Sequence, residues 1–248
     1  MREIPLVSVC EINPRRIAGI NSEDECSFIP MEYVDDRFGI IVRKAVKQLK
    51  EVEKGYTAFQ NEDILFAKIT PCMENGKCAI AKTLINGIGF GSTEFHVIRA
   101  KEQLIPEWAY YFLRQGRTRR KAELSMTGSA GQKRVPSSFL EEVLIPLPSL
   151  SEQKRIVNIL EKADHLRRQR RYALELSNTY LQAVFLEMFG DPTNNPNKWP
   201  KDRLSQLCDK IVDCPHATPI YAPHPTLCRM VLVVSNSSIG CERPPSGR

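Results

Sequence analysis

Apolar positions run through the chain in two rhythms. Up to about residue 150 they form short blocks broken by Gly, Pro, Asn and charged turns, a pattern that predicts short strands with a few helices rather than a helical bundle. The firmest strand is DILFAKIT at 63–70, apolar on both faces at first and polar towards Pro71, so Lys68 and Thr70 are expected near solvent. Further strands are predicted over 38–42, 78–81, 94–98 and 143–145, with Asn75-Gly76 turning between two of them. Pro106 opens a short helix through Arg114, because the first helical residue has no partner for an N–H in any case. Trp108, Tyr111 and Phe112 share one side of that helix and are expected to be core residues rather than base-stacking platforms.

After Ile145-Pro146-Leu147-Pro148 the rhythm becomes helical. Ser149 and Glu152 have the spacing of a capping box, each side chain satisfying an orphan amide at the helix start. Residues 151–189 contain no Gly or Pro, and Gly190 with Pro192 supplies the stop. Such a helix is about 58 Å long at a rise of roughly 1.5 Å per residue. Ile156, Leu160, Ala163 and Leu166, then Leu174, Ser177, Leu181, Val184 and Met188, recur at steps of three and four. This narrow seam cannot be buried by the helix alone, so it needs a second helix from this chain or another. Cations at 167–171 surround it and either face an anionic partner or form a solvated face. The fold expected is α+β: a mixed α/β domain with a twisted sheet over 1–150, a long coiled-coil-forming helix over 151–190, and over 191–248 a turn-rich linker with the incomplete start of another domain.

Composition narrows the class. With 42% hydrophobic and 26% charged residues among 248, the chain matches folded globular proteins, not disordered or collagenous ones. The apolar run at 230–234 is far below the roughly 20 residues of a membrane span, and no apolar core of a secretory signal follows Met1, so a cytoplasmic location is expected. The eight cysteines include no C-x-x-C pair, and Cys214 and His216 have no second pair at zinc spacing, so reduced thiols and no metal are expected.

The formal charge is +6, and its distribution is more informative than its size. Between residues 114 and 134, Arg114, Arg117, Arg119, Arg120, Lys121, Lys133 and Arg134 stand against Glu123 alone, a balance equal to that of the whole chain. TGSAGQKR at 127–134 adds backbone amides, hydroxyls and a glutamine, groups suited to phosphates and base edges; a solvated basic face is the plainer reading. Enzyme patterns are missing. There is no phosphate loop, the glycines at 87–91 lack dinucleotide-binding spacing, and neither H-E-x-x-H, G-x-S-x-G nor the Asn-Pro-Pro-aromatic tetrad of adenine methyltransferases occurs. Glu152-Gln153-Lys154 resembles part of a nuclease metal motif but lacks an upstream acid pair, so helix capping is its expected role.

Several separated strings, in order, carry a resemblance. IPLPSLSEQKRIV at 145–157, Lys162-Ala163-Asp164 and FLEMFGDP at 185–192, preceded by DILFAKITPCMENGK at 63–77 and TGSAGQKRVP at 127–136, resemble the specificity subunit of type I restriction-modification systems over about the first 200 residues. The resemblance implies that the first domain is a target recognition domain reading double-stranded DNA. It implies that the helix is a spacer and docking site for modification (methyltransferase) subunits, joined by a restriction/motor subunit. S-adenosylmethionine, ATP and Mg would then belong to those partners, none being bound by this non-catalytic chain. Expected DNA contacts are Lys68, Thr70, Lys77, Arg117, Arg119, Arg120, Gln132, Lys133 and Arg134. Expected partner-helix contacts are Ile156, Leu160, Ala163, Leu174, Leu181, Val184 and Met188. Full-length family members hold two domains and two antiparallel helices, whereas this chain has one of each and a stub. A homodimer through the helix is one expectation; a truncated remnant acting only as a coiled-coil interaction module is the other.

Overall fold

The computed structural model describes residues 3–14, 23–129 and 131–208, together with two short strands at 211–212 and 232–233. The chain divides into two compact units, 1–175 and 176–248. In the first, the order is β1 (Glu3–Pro5), α1 (Leu6–Val9), β2 (Cys10–Ile12), β3 (Glu25–Ile29), β4 (Ala45–Gln48), α2 (Leu49–Val52), β5 (Thr57–Gln60), β6 (Ile64–Ala67), β7 (Cys78–Ile80), β8 (Ile88–Gly91), β9 (Phe95–Ala100), α3 (Pro106–Arg114), α4 (Gly116–Leu124), α5 (Ser137–Glu142), β10 (Leu144–Pro146) and the start of α6 (Leu150–Phe189).

Two four-stranded sheets form the mixed α/β domain. One is antiparallel in the order β2-β9-β6-β7; the other runs β4-β3-β8-β5 with β3 and β8 parallel. The two-residue period of a strand explains why β6 is apolar on both sides. Ile64 and Phe66 pack beneath Ala109, Leu113, Ala122 and Leu140 of the helices, whereas Leu65 packs with Phe95 and Val97 against Ile29 and Phe59 of the second sheet. Beyond that sheet, Cys26 and Phe90 are covered by Leu49 and Val52 of α2. Helices, sheet, sheet and helix therefore stack as layers, each buried Leu, Ile or Phe contributing about 1.5–3 kcal/mol before entropy.

The glycines at 87–91 serve this stacking. A Cβ on Gly89 would lie 2.2 Å from the Phe59 ring, and one on Gly91 would lie 2.2 Å from the Ile29 carbonyl oxygen. Burial pushes the thiols of Cys10 and Cys78 up to about 12, and all five described cysteines are free. Cys214 and His216 lie outside the described residues.

Three local expectations are corrected. The strand predicted at 63–70 ends at Ala67. Residues 38–42 form no strand beyond a single bridge between Val34 and Ile41; their neighbourhood is tied to α3 instead. Tyr110 donates to the Gly39 carbonyl at 3.0 Å, and Arg114 donates to that of Arg37 at 3.0 Å. On α3 the fully buried residues are Ala109, Tyr110 and Leu113, and Trp108, Tyr111 and Phe112 are half-buried and pack against the same core, as expected. The capping box is one-sided: Ser149 Oγ accepts from the Glu152 N–H at 3.4 Å, while the Glu152 carboxylate turns to Arg155 at 2.7 and 2.8 Å. An arginine fork competes well for a carboxylate, so Glu152 does not reach back to the Ser149 amide.

In the second unit α6 ends as its sequence predicts. Gly190, at φ +78°, donates to Leu186 at 2.9 Å, and the Trp199 indole N–H caps the Phe189 carbonyl at 2.9 Å. A short helix α7 (Leu204–Leu207) and a parallel pair, β11 (Ile211–Val212) with β12 (Leu232–Val233), follow. Among the described residues, no helix is long and apolar enough to cross a membrane.

Candidate nucleic-acid interface

The candidate surface grows from the end of β6. Residues 68–77 connect β6 to β7, and the segment after α4 folds back on them as a narrow ribbon. Thr127 and Arg134 exchange backbone hydrogen bonds of 3.0 and 2.8 Å; Thr70 donates to the Lys133 carbonyl at 3.0 Å, and Val135 to that of Lys68 at 2.8 Å. Gly128 makes the reversal possible, for it has φ +121° and a Cβ there would meet the Gln132 carbonyl oxygen at 2.9 Å.

Helix α4 flanks this ribbon. Thr118 and Ala122, one turn apart, are its buried residues. At about 100° per residue, Arg120 then points away from the core, Arg117 and Lys121 lie on one flank, and Arg119 lies on the other. Arg119 donates to the Glu74 carbonyl at 3.3 Å, and the Thr70 hydroxyl donates to the Glu74 carboxylate at 3.0 Å. Lys68, Thr70, Arg119, Gln132, Lys133 and Arg134 are thus gathered around 68–74. Arg117 instead lines a recess with Lys121, Ser125 and Ser138. Lys77 donates inward, to the Met31 carbonyl at 2.9 Å.

Exposure separates the cations further. Lys133, Gln132, Arg117 and Arg120 are exposed, whereas Lys68, Lys77, Arg119 and Arg134 are half-buried. Arg134 forms a fork with Glu94, Nε to Oε2 at 2.9 Å and Nη2 to Oε1 at 2.8 Å, and these bonds hold the Glu94 carboxyl below its usual range. Next to it, buried His96 donates from Nε2 to the Val135 carbonyl at 2.8 Å and accepts at Nδ1 from the Asn13 amide at 3.1 Å. Since a carbonyl can only accept, this bonding fixes the neutral Nε2–H tautomer. Burial, the larger cause, holds the imidazole below its ordinary pKa.

Sequence reading missed Glu94, His96 and Asn13, whose polar side chains sit beside an apolar strand pattern and gain meaning only from distant partners. It also missed the part played by Asp63. That carboxylate is buried, accepts a fork from Arg99 at 2.7 and 2.8 Å, and takes the Gln60 N–H at 2.7 Å. The pair fixes the start of β6 against β9. Chemically, the outer surface combines exposed cations, a glutamine and glycine-rich backbone on a rigid base, an arrangement that can neutralise phosphates and contact base edges.

A two-sheet domain presenting such a ribbon and followed by a long helix has clear relatives. The family model for the type I restriction modification DNA specificity domain matches residues 3–176, and the chain belongs to this family. It is 42% identical over 184 residues to the type I restriction enzyme EcoAI specificity subunit of Escherichia coli, covering 72% of this chain and 31% of that protein. With the EcoEI specificity subunit of Escherichia coli it shares 41% identity over 216 residues, covering 84% and 36%. The chain therefore spans about a third of the length of these curated relatives. Among solved structures, the HsdS subunit from Thermoanaerobacter tengcongensis is similar with a TM-score of 0.55 and 26% identity, over 77% of this chain and 50% of that one. A chain from a structure describing assembly and conformational transition of the type I R-M system has a TM-score of 0.58 and 25% identity, over 86% and 56%.

Proposed function

We propose that this chain is a sequence-specific DNA-binding specificity subunit that directs adenine methylation, and restriction, by partner subunits of a type I complex. The observation that carries the reading is the ribbon after α4: it sets Gln132 and Lys133 in solvent while its backbone is fixed to Thr70 and Lys68. Membership of a DNA specificity family agrees with that chemistry.

On this reading residues 1–150 recognise DNA, 151–190 form the spacer and docking helix, and 191–248 begin a second recognition region. The chain itself is non-catalytic, and S-adenosylmethionine, ATP and Mg are held by the modification and restriction subunits. Two copies pair through the exposed seam of α6, each supplying one half-site, so the target is an interrupted palindrome.

The test is a genome-wide map of methylated adenines after co-expression with the cognate modification subunit, against a control lacking this chain. A new interrupted palindrome is expected. An asymmetric bipartite motif would mean that a different specificity chain supplies the other half, which overturns the pairing. No new methylation, with both proteins soluble, would overturn the recognition role.

A further inference from the structure

An acidic residue beside a surface meant for phosphates opposes binding through simple charge, so Glu94 calls for a physical reason. Its carboxylate is forked onto Arg134, and its backbone carbonyl accepts the Lys68 N–H at 2.9 Å. The Arg134 guanidinium also reaches back to the Gln132 carbonyl at 3.2 Å, closing the ribbon on itself. Two residues further along, at the start of β9, His96 holds the Val135 carbonyl at 2.8 Å. Glu94 and His96 thus grip the consecutive ribbon residues Arg134 and Val135. Lys133 and Gln132, immediately before them, stay in solvent.

We propose that Glu94 is a positioning residue for sequence recognition, acting through Arg134 to hold Gln132 and Lys133 in register with the DNA. This rests on the recognition reading above and adds to it a residue that touches no DNA. Charge and positioning predict opposite outcomes. If Glu94 were only a local negative charge, removing it would tighten binding to every duplex alike, because the phosphate term carries no sequence information. If it positions the ribbon, its loss weakens target binding while non-target binding holds or tightens.

The experiment uses the full chain with its modification subunit. Two duplexes of equal length, one carrying the methylation motif and one scrambled, are titrated across a range of salt. Glu94→Gln is expected to lower affinity for the motif about tenfold, the size of one lost base contact. Affinity for the scrambled duplex should be unchanged or a few-fold higher. Arg134→Lys keeps the cation but cannot form the fork, so it should lose discrimination similarly and serves if Glu94→Gln does not fold. The double variant should be little worse than either single one, since both break the same contact. Equal tightening on both duplexes, or discrimination that survives both substitutions, overturns the positioning role. A wild-type complex that does not discriminate overturns the recognition reading itself, a distinguishable result.

Discussion

Buried Gln153 and half-buried Ile105 are joined by a hydrogen bond, the Gln153 Oε1 accepting the Ile105 N–H at 3.0 Å. The other end of the same amide donates to the carbonyls of Gln103 and Pro148, both at 3.0 Å. One side chain thus holds the residue before α3 and fastens the first turn of α6 to the two-sheet domain. Gln153→Leu keeps the volume but leaves an N–H and two carbonyls unpaired, so it should destabilise the chain by about 1–3 kcal/mol. Urea unfolding should show a lower midpoint with an unchanged slope. An unchanged midpoint would show that water replaces the amide at no cost.

A second prediction concerns pH. His96 is neutral in the fold and its pKa is lowered, chiefly by burial. As pH falls below about 6.5, the unfolded chain binds a proton that the native imidazole refuses, so stability is lost until the pH has passed through the lowered native value. Glu94, also lowered, adds a loss in the same direction but in a separate window, below its ordinary 4.5. Urea midpoints measured from pH 8 to pH 5 should therefore fall, and His96→Gln should flatten that fall. A slope that persists in the variant would assign it to other groups.

What the sequence makes legible is what neighbouring residues decide. β6 can be read because its side chains are apolar on both faces, and α6 because a helical period runs without a breaker to Gly190. Strands β3, β4, β5 and β8 are hidden, since they are short and their partners lie in other segments: the need for glycine at 89 and 91 shows only once Phe59 and Ile29 are placed against them. The same limit applies to the surface. The cations are evident in sequence, but Arg114 is used on the backbone of Arg37, Lys77 on that of Met31, and Arg134 on Glu94. Those partners lie between 40 and 77 residues away, so no local pattern separates these cations from exposed Lys133.

The exposed cations should behave as phosphate contacts. Lys133→Ala and Arg120→Ala should each weaken motif and scrambled duplexes alike and reduce the salt slope of log K by about 1. Gln132→Ala should leave that slope alone and relax discrimination at one base pair, by about 1–3 kcal/mol. Fluorescence anisotropy at several salt concentrations separates the two patterns. If none of the three changes affinity or its salt dependence, the ribbon is a solvated face and recognition lies elsewhere.

Helix α6 leads to the last prediction. Past Val157 its apolar side chains have little to pack on: Leu174 is 53% exposed, Leu181 64% and Met188 63%, while Leu160 and Val184, like Ile156 before it, are half-buried and Ala163 is exposed. Apolar residues at seam spacing gain nothing from water, and a second copy in antiparallel register would cover them. Wild-type chain at micromolar concentration should therefore show twice the 28.2 kDa chain mass by light scattering. Leu174→Glu with Leu181→Glu should return it to the single mass, and at dilutions where the wild type is also monomeric the two should share a thermal midpoint, because neither side chain contributes to a core within one copy. A loss of thermal stability in the monomeric variant at low concentration would mean that the seam packs within the chain, and a monomeric wild type would overturn the two-fold arrangement.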